Sequence, residues 1–128
     1  MSTAQTVITQ ALKELGVVAA GETASSEDTA DALTRLNWMI SNLEVKGVDV
    51  GIPTLALADE IDLPDGHERT IMAMLAVDLA PSYEAEPKAL TLRVAEEGLQ
   101  VLKASFADPG VLRSDTALTR RSRVRRFR

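Results

Sequence analysis

Residues 64–81 read PDGHERTIMAMLAVDLAP. From Ile71 to Ala80 apolar side chains fall on nearly every side of a 3.6-residue repeat, and only Asp78 breaks the run. A helix with no polar face to give to water belongs in the middle of a helical domain. Pro64-Asp65-Gly66 supplies a turn ahead of it, with Asp65 read as N-cap and Glu68 as its capping-box partner, and Pro81 stops it. The rest of the chain can be read as what surrounds this element.

Upstream, Val7, Ile8, Ala11, Leu12 and Leu15 share one helical face and Gly16 stands where a left-handed cap would sit. Ser25, with Asp28 three residues on, opens a second helix whose stripe reads Ala30, Leu33, Leu36, Asn37, Ile40 and Leu43, closed by Lys46 and Gly47. Downstream, Pro87 suits the start of a fourth helix with a stripe of Leu90, Val94, Val101, Leu102 and Phe106, ended by Asp108-Pro109-Gly110. Between Gly47 and Pro64 the period drops to two, with Leu55, Leu57, Ile61 and Leu63 alternating around Ala58-Asp59-Glu60, which predicts a short β-hairpin or extended arm. The expected architecture is mainly α: helices near 3–15, 26–46, 67–80 and 88–107, a hairpin between the second and third, and an extended basic C-terminal tail. We divide the chain into a helical body, 1–110, and an arginine-rich tail, 111–128.

The 128 residues suit one folding unit, and 45% apolar with 26% charged side chains is a globular composition. No cysteine is present, so there is no disulfide framework, thiol nucleophile or cysteine-ligated zinc, and one histidine cannot furnish a site needing two imidazoles. No apolar stretch approaches the roughly 20 residues of a membrane span, and the first ten residues lack the basic region of a signal peptide. The expectation is a soluble chain made in the cytoplasm. The net charge of -5 conceals an asymmetry. Residues 1–112 carry 7 basic and 18 acidic side chains, a net -11, whereas residues 113–128 carry 7 arginines against Asp115, a net +6. Such a body repels nucleic acid and acidic membranes, leaving any such binding to the tail.

Asp59, Glu60, Asp62 and Asp65 form the densest carboxylate cluster, a type that can hold calcium or supply an acid/base pair. Their spacing is not that of an EF-hand, and they read as solvated. His67, without a second imidazole, reads as a surface residue. Asp78 either faces water or pairs with Arg35, Arg69 or Arg93, a structural role favoured over a catalytic one. Trp38, Met39, Met72 and Met74 sit at helical spacing and read as core or interface packing before any ligand pocket. No glycine-rich phosphate loop, Ser-His-Asp set or Cys-His set is present. We therefore expect neither an enzyme nor a bound metal or cofactor.

The tail carries the strongest local signal: Arg113, then Arg120, Arg121, Arg123, Arg125, Arg126 and Arg128, with Val124 and Phe127 interleaved. Charge alone leaves phosphate backbones and acidic protein surfaces level, because arginine forks suit both. Val124 and Phe127, three apart, favour a protein partner with an apolar pocket. These nine residues are the expected docking set.

Three stretches together resemble the head-to-tail adaptor family of short-tailed bacteriophages: Gly21-Glu22-Thr23-Ala24-Ser25 with Asp31-Ala32-Leu33, Leu36-Asn37 and Met39; Glu60-Ile61-Asp62-Leu63-Pro64-Asp65-Gly66 with Glu68-Arg69; and Leu75-Ala76-Val77 with Leu79-Ala80-Pro81 and Tyr83. Their order and gaps fit over roughly residues 5–106. The resemblance implies a structural virion protein at the head-tail interface, assembled in the host cytoplasm. Its copies would self-associate into a ring, usually a dodecamer, beneath the portal protein, joining it to a downstream tail protein (nozzle, hub or tail terminator). The C-terminal segments would grip the portal, and DNA would pass through the channel without specific binding. Two rival readings stand beside it: a nucleic-acid-binding protein using the arginine tail, and a cell-wall-degrading tail enzyme using the acidic loop.

Overall fold

The computed structural model describes residues 2–19 and 21–106. Four helices follow in order: α1 (Ala4–Glu14), α2 (Ser26–Val45), α3 (Asp65–Leu79) and α4 (Ala89–Ser105), with a 3-10 turn, Ala80–Tyr83, continuing α3. The mainly α expectation holds, and α3 packs against α1, α2 and α4. Ile71, Leu75, Ala76 and Leu79 of α3 are buried and join Val7, Ile8, Leu12, Leu36, Ile40, Leu43 and Leu102 in one core.

Local signals fix the helix ends. The Thr3 hydroxyl accepts from the Thr6 N–H at the start of α1, and the Ser25 hydroxyl accepts from the Asp28 N–H at the start of α2, each satisfying a donor the helix leaves open. Gly16 (φ 75°) and Gly47 (φ 89°) take the left-handed conformation just beyond α1 and α2, which side chains resist. At α3 the capping box does not form. Pro64 is the N-cap, with no side-chain cap, and Asp65 is the first helical residue. The Glu68 carboxylate accepts instead from the Ser2 N–H at 2.8 Å. That bond ties the start of the chain to α3.

The hairpin between α2 and α3 is a correction: no strand forms among the described residues. The period-two pattern is real, because Val48, Val50, Ile52, Leu55, Ile61 and Leu63 are all buried, but the backbone partners come from elsewhere. The Asn37 amide donates to the Leu55 carbonyl (3.1 Å) and accepts from the Leu55 N–H (2.8 Å). The N-terminal segment takes the next groups: Gln5 N–H donates to Leu57 O, Ala4 N–H to Asp59 O, and Ile61 N–H to Ser2 O, with one isolated antiparallel bridge between Thr3 and Glu60. Groups a hairpin would have paired with each other are thus satisfied by α2 and by residues 2–5.

The expected stripes hold at Leu36, Ile40 and Leu43 of α2 and at Leu102 of α4, and fail at Ala30, Leu90 and Val101. On α2 the buried positions are Thr29, Ala32, Leu36, Ile40 and Leu43, with Ala30 exposed and Leu33 half-buried. On α4, Thr91, Ala95 and Leu102 face the core, whereas Leu90 and Val101 are 62% and 55% exposed. Closeness to α3 explains the choice. A methyl group built on Gly98 would fall inside van der Waals contact of the Thr70 side chain, so only a face of small residues lets the two helices approach this far.

Candidate functional site

The nine expected docking residues, Arg113, Arg120, Arg121, Arg123, Val124, Arg125, Arg126, Phe127 and Arg128, lie outside the described residues. The candidate surface is therefore built from what the helical body presents.

Where α2, α3 and α4 meet, an open furrow of about 260 Å³ is lined by Met39, Met74, Val77, Ala95 and Leu99, with Asp78 and Glu96 at its rim. Its walls follow from the packing just described. Small Ala95 leaves room that a bulky residue would fill, and half-buried Met39 and Met74 supply long flexible thioethers that adapt to a guest. A second hollow adjoins it, formed by Arg35, Trp38, Asn42 and the shared Met39 and Asp78. Trp38, the only tryptophan in the chain, is 66% exposed there. Trp38, Met39, Met72 and Met74 share helical spacing, but Met72 lines other hollows, against α1 and the N-terminal segment. Trp38, Met39 and Met74 alone converge on this face.

Asp78 both faces water and pairs with an arginine. Its carboxylate lies 3.6 Å from Arg35 Nη1, and the same guanidinium donates to the Asp78 carbonyl and to Ser82 Oγ. With both side chains partly solvated, the ion pair contributes about 0–1 kcal/mol. It braces α2 against the end of α3. Beside it, the Tyr83 hydroxyl donates to Asp28 Oδ1 at 3.0 Å. Burial first, and then the Asp28 and Asp31 carboxylates, push the phenol up to about 12, with Arg35 opposing. Spacing gave no warning of this pair, which sits 55 residues apart.

The carboxylate cluster does not converge. Asp59 caps a turn by accepting from the Ala56 N–H, Glu60 lies in the bridge to Thr3, and Asp65 opens α3. No group of three potential ligands is assembled among the described residues. His67 is a second correction: it is half-buried, its ring 5.7 Å from that of Phe106 and tilted by 57°, because the last turn of α4 reaches back over the start of α3. No helix among the described residues is long and apolar enough to cross a membrane.

No protein-family model matches the chain, and no curated protein matches it.

Proposed function

We propose that the protein is a head-to-tail adaptor of a tailed bacteriophage, a structural subunit that forms a ring beneath the portal and passes DNA through its channel. The observation that carries this reading is the division of charge: a helical body of net -11 joined to a segment of net +6 in which Val124 and Phe127 interrupt the arginines. An acidic channel wall would repel DNA in transit, and arginine forks with an aromatic anchor suit a protein surface. Large apolar side chains left exposed on two different helices, Trp38 and Val45 on α2 and Leu90 and Val101 on α4, suit head-to-tail contact between copies, which uses two unlike surfaces per subunit and closes into a ring. The stretches that resemble the adaptor family include Asn37, Tyr83 and Glu68, each with a structural task in this fold.

The test is assembly with a portal ring, scored by co-sedimentation and electron microscopy. The full chain should add a ring of density beneath the portal, and deletion of residues 113–128 should abolish binding while leaving the helical circular dichroism intact. Full binding by the truncated protein would reject the tail as the docking element. Salt-dependent binding of DNA by the full chain, without portal binding, would favour the nucleic-acid reading.

A further inference from the structure

We infer that the furrow between α2 and α4 is a seat for this chain's own C-terminal segment, with Val124 and Phe127 on Met39, Met74 and Leu99 and the flanking arginines against Asp78 and Glu96. The seat stands or falls independently of whether the segment also grips a portal.

Three observations favour this occupant. Size is the first: a cavity of about 150 Å³ takes up benzene, so a furrow of about 260 Å³ has room for a phenyl ring and an isopropyl group together. Val124 and Phe127 are three residues apart, a spacing that would put both on one side of the segment if it took a helical turn on docking. Charge is the second. The rim presents carboxylates, Asp78 from α3 and Glu96 from α4, and the segment places arginines on both sides of each apolar residue. Arginine forks on carboxylates would set the register of the apolar pair.

Reach is the third observation. Leu99 stands on α4 six residues before its end at Ser105, about 9 Å along the helix. Seventeen residues, 107–123, separate Phe106 from Val124, and an extended chain of that length spans up to about 55 Å. The segment therefore starts at the end of the wall it would line and has several times the length needed to turn back. Tethering at this distance corresponds to a local concentration in the millimolar range, so even a weak seat would fill from within the same chain before a second copy supplied it. A portal or neighbouring subunit would then have to displace the segment to engage it, which links release of the tail to assembly.

The chain reports on this itself. Trp38 borders the furrow and is the sole tryptophan, and the absence of cysteine makes Ser122→Cys a unique attachment point for a nitroxide quencher. In the full-length labelled protein without any partner, the label should remove most of the Trp38 emission. The loss should be unchanged on about tenfold dilution, as expected for a tethered contact. Adding Phe127→Ser on the tail, or Glu96→Lys on the exposed rim, should restore the emission without altering the helical signal. Unquenched Trp38 in the labelled full chain would overturn the proposal. So would quenching that fades on dilution, which would assign the furrow to a second copy, and so would quenching that survives Phe127→Ser, which would show general attraction between tail and body without a seat.

Discussion

The side chain of Asn37 pairs with both backbone groups of Leu55, donating to its carbonyl and accepting from its N–H, as a neighbouring strand would. One residue of α2 thereby fixes the extended segment that follows it. Asn37→Ala removes both partners from a part-buried peptide unit, and the expected cost is about 1–3 kcal/mol. Asn37→Asp keeps the acceptor but sets a carboxylate oxygen against the Leu55 carbonyl, and should cost as much or more. Urea unfolding checks both. A shift in midpoint at unchanged slope is expected, because the lesion is local and leaves the area exposed on unfolding the same.

Gly98 and Thr70 set the distance between α4 and α3. In an exposed helix Gly→Ala gains about 1 kcal/mol of helix propensity, but here the added methyl collides with Thr70. Overpacking costs about 1–3 kcal/mol, so Gly98→Ala should be net destabilising by up to about 2 kcal/mol. Pairing it with Thr70→Ala should recover much of the loss. The coupling is read from a double-mutant cycle of thermal or urea unfolding, and strict additivity would show that the helices part freely.

Most of the architecture was legible because it is written in short-range terms. The four helices follow from spacing and from stop signals such as Gly16, Gly47 and Pro81. What was not legible depends on residues far apart. The extended segment looked like a hairpin because its own alternation is correct, and its actual partners, Asn37 and residues 2–5, lie in other elements. The stripe of α4 holds at Leu102 and fails at Leu90 and Val101, where size counts for more than hydrophobicity. Leu90 and Val101 are apolar yet exposed, whereas the smaller Thr91 and Ala95 are buried and half-buried Gly98 lets α4 approach Thr70. The furrow was invisible for the same reason, being room left by small residues beside Met39 and Met74.

Leu75 lies fully buried on α3, the helix that touches the other three. Leu75→Ala should cost about 2–5 kcal/mol, the range for emptying a buried leucine site. Val101→Ala, of comparable hydrophobicity but 55% exposed, should stay within about 0.5 kcal/mol of the parent. The contrast, measured by chemical unfolding, separates the central helix from the outward face of α4. Equal effects would contradict the outward placing of Val101.

Tyr83 is the only tyrosine, so its phenolate absorbance reports one group. Its pKa rises from 10.0 to about 12 because burial and the Asp28 carboxylate both disfavour the anion. The folded state therefore holds its proton more tightly than the unfolded state. Below pH 10 the contribution to stability is fully present. As pH climbs from 10 to about 12, the unfolded chain releases the proton first, and the contribution declines until it is lost above the folded value. Because other groups add to the pH dependence of both proteins, the quantity to compare is the difference between the parent and Tyr83→Phe. That difference should shrink with rising pH across this window and stay constant below it. Asp28→Asn should bring the midpoint of the absorbance titration down, yet leave it above 10.0, since burial is the larger cause and remains. A midpoint at the ordinary value in the folded parent would show that Tyr83 is neither buried nor bonded to Asp28 in solution.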